Sequence, residues 1–337
     1  MEDRIRWGIL STANIALKRF IPGVFGSRNG VVAAIASRDL SRARESAGRL
    51  GIAKAYGSYE ALLADPDIDA VYNPLPNSLH AEWTLKAAAA GKPVLCEKPL
   101  ALSSSEARGM IDGCREHRVA LMEAFMYRFH PQHARVRTLL AEGAIGELRT
   151  VRAAFTFLLE PFPRRNVRLQ HDLGGGALMD VGCYAINAMR MLFGEEPRWA
   201  SAQWDFRDEF DVEVSATGVL GFSDQRMGTF DCGFRAAGQG SFSVVGTKGQ
   251  IDVLNAFVPG DADVSVLITT GSERREERIG GVDQYRLEAE EFADALLQRR
   301  PPVIPVNDAL GTLKTIEALR ASACAGGVRR DVESSNR

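Results

Sequence analysis

Three short stretches of this 337-residue sequence carry residue types that can do chemistry. Glu97-Lys98-Pro99 follows the apolar run Val94-Leu95-Cys96 and precedes Ser103, a helix-capping residue type. A charged pair there stands at the carboxyl end of a buried strand, the edge where open α/β sheets collect ligands; without that strand it would read as a solvated turn. Asp180, Tyr184 and Asn187 are spaced i, i+4, i+7 and project from one face of a helix, beside the apolar Leu178, Val181, Ala185, Ala188 and Leu192. One polar face suits a helix that lines a cleft; it also suits a helix with one face in water. GILSTANIA, residues 8–16, places Ser11, Ala13 and Ala16 where a G-x-G-x-x-G/A turn has its three small residues, and only the third matches. Ser11 and Ala13 are still small enough for backbone N–H groups to approach a pyrophosphate, and Ser11 and Thr12 add hydroxyls.

The second strand ends in Ala36-Ser37-Arg38-Asp39. A ribose-binding acid belongs near this position, yet Ser37 and Arg38 stand there, and a guanidinium without a neighbouring carboxylate favours a 2′-phosphate. This reading expects NADP in preference to NAD. The alternatives are an Arg38 that only solvates a turn and an Asp39 that serves a 2′-hydroxyl. His80 is read as steadying the turn after the prolines of NPLPN. His130 and His133 lack acidic companions at a ligand spacing, and no metal site is expected. Arg168 and His171, just before Gly174–Gly176, are candidate substrate contacts.

These groups need a scaffold, and the pattern supplies one. Strand-like runs at 5–10, 31–37, 70–75, 92–97 and 120–124 alternate with helical patterns at 41–50, 58–64, 79–90 and 103–117, with Ser58 and Ser103 as caps and Gly91 as a stop. Such alternation indicates a doubly wound parallel sheet. After residue 125 the order changes to a helix at 132–142, a strand at 148–158, a glycine-rich turn, a helix at 177–193, several strand-like runs to about 280, and helices at 284–299 and 308–323. The expected fold is α/β: a doubly wound, dinucleotide-type domain over 1–124, then an α+β domain over 125–337 with an open, mostly antiparallel sheet.

Composition narrows the partners. The net charge is −2, with basic and acidic residues interspersed, which disfavours a nucleic-acid or anionic-membrane surface. No apolar stretch reads as a signal or a membrane span. Five separated cysteines without CxxC pairs fit a reducing, cytoplasmic compartment.

The motifs GILSTANIA, NPLPNSLH (73–80), EKPLA (97–101), MEAFMYRFHPQ (122–132) and GGGALMDVGCYAIN (174–187) occur in an order that resembles the Gfo/Idh/MocA oxidoreductases, and is most similar to the branch of dihydrodiol and NADP-dependent xylose dehydrogenases. The resemblance implies a Rossmann domain with cofactor contacts from Ser11, Thr12, Ala13, Asn14, Ile15, Ser37, Arg38, Asn73, Pro74, Leu75, His80, Glu97, Lys98 and Arg128. It implies a catalytic lysine, here Lys98, and an acid/base residue on the helix after the glycines. Many members carry Asp and His there; this chain has Asp180 and Tyr184, which points to the tyrosine-using branch. The implied activity is hydride transfer between a nicotinamide and a carbon bearing a hydroxyl or carbonyl in a sugar, cyclic polyol or dihydrodiol. Tyr184 is then the acid/base, Lys98 its cation, Asp180 an orienting group, and Arg168, His171 and Asn187 substrate contacts. A homodimer or homotetramer through the second-domain sheet is expected. The alternatives are a reductase of a nucleotide-linked keto-sugar and a non-catalytic sensor of the same fold.

Overall fold

The run that begins at Ile5 forms strand β1 (Ile5–Leu10) in the computed structural model, which describes residues 4–163 and 165–333. β2 (Gly30–Ala36), β3 (Lys54–Tyr56), β4 (Ala70–Asn73), β5 (Val94–Glu97) and β6 (Leu121–Ala124) join it in one parallel sheet ordered β3-β2-β1-β4-β5-β6. Its order reverses between β1 and β4, the crevice where doubly wound sheets bind ligands beyond their carboxyl ends.

A helical segment follows β1, a π-turn over Ala16–Phe20 and then α1 (Ile21–Phe25); the other crossovers are α2 (Leu40–Leu50), α3 (Tyr59–Leu63), α4 (His80–Ala89) and α5 (Ser104–Glu116). Ser58 and Ser103 cap α3 and α5 as expected, accepting the amides of Ala61 and Glu106 at 3.2 and 3.1 Å. Trp7, Ile9, Phe20, Ile35 and Tyr72 fill the interior, with the rings of Phe20 and Tyr72 stacked at 3.7 Å.

The following region holds α6 (Pro131–Ala141), β7 (Leu148–Leu158), a π-turn over Leu178–Gly182 that continues as α7 (Cys183–Phe193), and strands β8 (Trp199–Arg207), β9 (Val212–Gly221), β10 (Met227–Gly233), β11 (Arg235–Gly246), β12 (Gly249–Val253), β13 (Val264–Thr270) and β14 (Glu273–Ile279). With the short β15 (Arg330–Asp331) they form a nine-stranded sheet in which every pairing is antiparallel except β7 with β10.

Helices α8 (Gln284–Leu297) and α9 (Asp308–Cys324) close the chain, and the first corrects the expected division. The chain separates into one compact unit of 1–126 with 283–309 and another of 127–282 with 310–337. α8 therefore belongs with the parallel sheet, where Arg28 and Asn29 bind Glu290 and Asp294 and the ring of Phe292 lies 5.7 Å from that of Trp7. Its apolar face packs there as well as it would on any sheet, so periodicity did not reveal which core it joins. Among the described residues no helix is long and apolar enough to cross a membrane.

Candidate active site

In the first unit the predicted residues gather at the carboxyl ends of β1, β2, β4 and β5. Ser11 occupies the first-glycine position of the turn after β1 and holds φ at +121°, a conformation that ordinarily selects glycine. Its hydroxyl accepts the Ala13 amide at 3.2 Å, which helps offset the strain. Ser11, Thr12, Ala13 and Ile15 are partly exposed and Asn14 is exposed, so the turn is open to a ligand.

At the end of β2, Ser37 is buried and its hydroxyl accepts the Asp39 amide, while Arg38 is exposed and reaches Tyr59. Asp39 caps α2: its carboxylate accepts the Ser41 amide at 2.9 Å and the Ser41 hydroxyl at 2.6 Å, and these bonds hold it below the usual carboxylate range. A carboxylate committed to a helix cap is poorly placed to receive a ribose hydroxyl, and the exposed guanidinium beside it fits a phosphate. The residues present fit a dinucleotide.

The loop after β4 departs from expectation. Asn73 is fully buried; its amide donates to the His80 carbonyl and the Thr84 hydroxyl, both at 3.2 Å, and its oxygen faces the Leu75 amide. Pro74 and Leu75 are also buried, so only their backbone lies near the ligand edge. His80 is buried too, with Nδ1 2.9 Å from the Pro99 carbonyl and Nε2 2.8 Å from the Leu75 carbonyl. Asn73 and His80 thus brace the loop from beneath: His80 steadies the turn, as its residue-level reading had it, while the buried side chain of Asn73 corrects its expected cofactor contact.

Glu97 ends β5 and Lys98 follows it, both half-buried, and the Lys98–Pro99 bond is cis. Neighbouring elements grip the turn. Tyr72 donates its hydroxyl to Glu97, whose other oxygen accepts the Lys98 amide at 3.2 Å, and Glu123 of β6 accepts the Leu100 amide at 2.7 Å. Sequence reasoning passed over Tyr72 and Glu123; an acid inside the apolar run LMEA was the available signal.

In the second unit, Asp180 lies in the π-turn and Tyr184 in the first turn of α7, a correction to the single α-helix expected over 177–193. Two close contacts shape that start. Glu213 of β9, buried, accepts the Leu178 amide at 3.0 Å, and Gly182 faces the Cys232 sulfur, 3.0 Å from where a Cβ would lie. Arg168 Nε donates to Asp180 at 2.6 Å, so these two predicted residues do meet. Tyr184 is 5% exposed and sits among the rings of Phe155, Phe257 and Tyr127 at 5.1, 5.6 and 5.8 Å.

Asn187 is turned inward: its oxygen accepts the Tyr127 hydroxyl at 2.6 Å and its amide donates to Thr312 at 3.3 Å, which corrects its expected role as a substrate contact. His171 is exposed and lies 3.6 Å from Asp211 and 3.7 Å from Asp172, apart from the Arg168–Asp180 pair. Arg128, grouped by sequence with the cofactor contacts, falls in the second unit. His133 donates to the Ala256 carbonyl at 2.8 Å, and burial pushes its pKa down to about 3; His130 caps α6. Both are structural.

Comparison with known proteins agrees with this arrangement. Residues 5–125 match the model of the oxidoreductase family with an NAD-binding Rossmann fold, and residues 133–252 match the GFO/IDH/MocA C-terminal domain. The chain is 40% identical over 321 residues to D-xylose 1-dehydrogenase (NADP(+)) 2 of Haloferax volcanii, covering 95% of this chain and 98% of that one. It is 38% identical over 250 residues to the trans-1,2-dihydrobenzene-1,2-diol dehydrogenase of Xenopus laevis, 74% of either chain. Among solved structures, KijD10, a 3-ketoreductase from Actinomadura kijaniata in complex with NADP and TDP-benzene, superposes with a TM-score of 0.90 at 34% identity, over 95% of this chain and 98% of that one.

Proposed function

The chain belongs to the GFO/IDH/MocA oxidoreductase family, and on that premise we propose that it is an NADP-preferring dehydrogenase or reductase of a sugar, cyclic polyol or dihydrodiol. The observation that carries the reading is the gathering of an open Ser11 turn, the exposed Arg38 guanidinium and the gripped Lys98 turn along one sheet edge. A bound nicotinamide supplies the carbon that accepts or returns hydride.

The chain's own residues handle the proton. A phenol with a reference pKa near 10 is a poor base at neutral pH, so Tyr184 needs a cation, and Lys98 is the residue assigned to that task. Tyr184 takes the proton from the substrate hydroxyl on oxidation and returns it on reduction, which contributes roughly 10²–10⁴-fold. Lys98 polarises the same oxygen. Asp180, steadied by Arg168, orients substrate or lysine. The likeness to the Actinomadura ketoreductase favours a second reading, a reductase of a nucleotide-linked keto-sugar. In the same proposal the nine-stranded sheet, whose face presents Arg152, Thr229, Asp231, Ser241 and Leu254 around an open depression, receives a second copy, and five free thiols accord with a reducing cytoplasm.

Incubation of the pure protein with NADP⁺ and a panel of sugars, polyols and dihydrodiols, followed by absorbance of the reduced cofactor, tests the first reading. Turnover of a nucleotide-linked keto-sugar with NADPH alone would replace it with the second. Inertness toward both panels would overturn the assignment.

A further inference from the structure

We propose that Tyr72 is a positioning residue for the reaction: its hydroxyl fixes the Glu97 carboxylate, whose other oxygen holds the Lys98 amide, so that a buried phenol on the neighbouring strand sets how Lys98 leaves the sheet. The inference rests on the reading of Lys98 as the cation that serves Tyr184.

Strand register makes the contact. In the parallel pairing of β4 with β5, Tyr72 lies opposite Leu95, and Glu97, two residues on, returns to the same face. A tyrosine is long enough to reach along that face to the end of β5. Its ring is held in place, fully buried and stacked on Phe20 at 3.7 Å with 9° between the planes. Burial, with the Glu97 charge beside it, pushes the phenol pKa well above its usual value, so the hydroxyl stays a donor and Glu97 the acceptor.

The bond serves the site rather than the packing. β5 ends at Glu97 and residue 99 is a proline, so the Lys98 amide is the only main-chain donor before Leu100. Glu97 takes that donor at 3.2 Å, and Glu123 takes the Leu100 amide at 2.7 Å. Glu123 is buried, but Glu97 is only half-buried, and the Tyr72 bond keeps it turned toward Lys98. A phenylalanine would stack on Phe20 equally well. What the hydroxyl adds is the hold on Glu97.

Tyr72→Phe deletes that hydroxyl and leaves the ring. The variant should fold and bind NADP⁺ within about threefold of the parent, while kcat falls about tenfold, as expected when one hydrogen bond to a charged group is lost. Glu97→Gln retains one acceptor oxygen where the carboxylate offers two, so it cannot receive the phenol and the Lys98 amide as the parent does. Its kcat should fall to a like extent, and the double variant should be about as slow as the slower single one, because the groups act as a unit. On the protein without substrate, the rate at which an amine reagent modifies Lys98, read by peptide mass spectrometry, should rise in both variants with the other lysines unchanged. Multiplicative losses of kcat, or parental labelling of Lys98 in Tyr72→Phe, would overturn the proposal. So would a Tyr72→Phe protein that fails to fold or that loses NADP⁺ affinity and turnover together, since the hydroxyl would then serve the fold at large. Parental turnover in Lys98→Met would instead overturn the reading of Lys98 beneath it, a result distinct from all of these.

Discussion

Glu288 of α8 is fully buried within the first unit, and neither of its carboxyl oxygens has a hydrogen-bond partner. Burial, with Glu97 and Asp283 adding like charge, pushes its pKa well above the usual carboxylate range. The folded protein therefore holds a proton that the unfolded chain releases near pH 4.3, and stability falls as pH rises from that value until the folded group titrates. Each pH unit in this window costs about 1.4 kcal/mol. An unpartnered buried polar group costs roughly 1–3 kcal/mol more at every pH. Glu288→Met, similar in length and apolar, removes both costs. It should be more stable than the parent by about 1–3 kcal/mol at pH 4.5, with the gap widening by about 1.4 kcal/mol per unit above that. Glu288→Gln removes the titration and keeps a polar group, so it should lose the slope and retain the offset. Tyr72, Tyr285, Glu97 and Asp283 are the titratable groups around this site; all are present in every variant and largely cancel in the difference. Denaturant midpoints and slopes from about pH 4.5 to 8 provide the assay. Parallel stability curves for parent and Glu288→Met, or a Met variant weaker than the parent throughout, would refute the reasoning.

Arg38→Ala should raise the dissociation constant for NADP⁺ about 10- to 100-fold, the worth of one charge-assisted phosphate contact, and leave that for NAD⁺ nearly unchanged; equal parental affinities for the two cofactors in calorimetry would contradict it. Gly176→Ala should destabilise by about 2 kcal/mol or more, because φ at +109° disfavours a side chain and its Cβ would lie 2.5 Å from a Glu213 carboxylate oxygen; a thermal midpoint within a degree of the parent would be the opposing result. Tyr184→Phe should keep cofactor affinity and lose at least roughly 10² in turnover. Lys98→Met should show a similar loss and the double variant far less than the product, since groups acting as a unit are non-additive; multiplicative rate losses would separate the two residues.

What the sequence made legible follows from how local each signal is. Ser58 and Ser103 announced their helices because a cap needs only an amide three residues on. The helical segment after β1 escaped notice because its π-turn and Pro22 break the 3.6-residue period, and β3 because three half-buried residues carry no alternation. Ser11 shows that residue type and backbone can part company: the motif lacked its glycine, yet the chain keeps the glycine conformation. Polar residues next to the motifs misled for the opposite reason. Asn73 and Asn187 stand where a ligand contact would, but a buried turn or helix has polar groups of its own to satisfy, and these side chains meet that demand first. The buried acids were the least legible. Glu213, Glu123 and Glu288 are by type surface residues. The backbone amides that explain Glu213 and Glu123 lie 35 and 23 residues away in the chain, while Glu288 has no partner by which any pattern could betray it. The groups that aim the candidate catalytic residues were therefore hidden by long-range pairing, even where the candidates themselves stood in plain motifs.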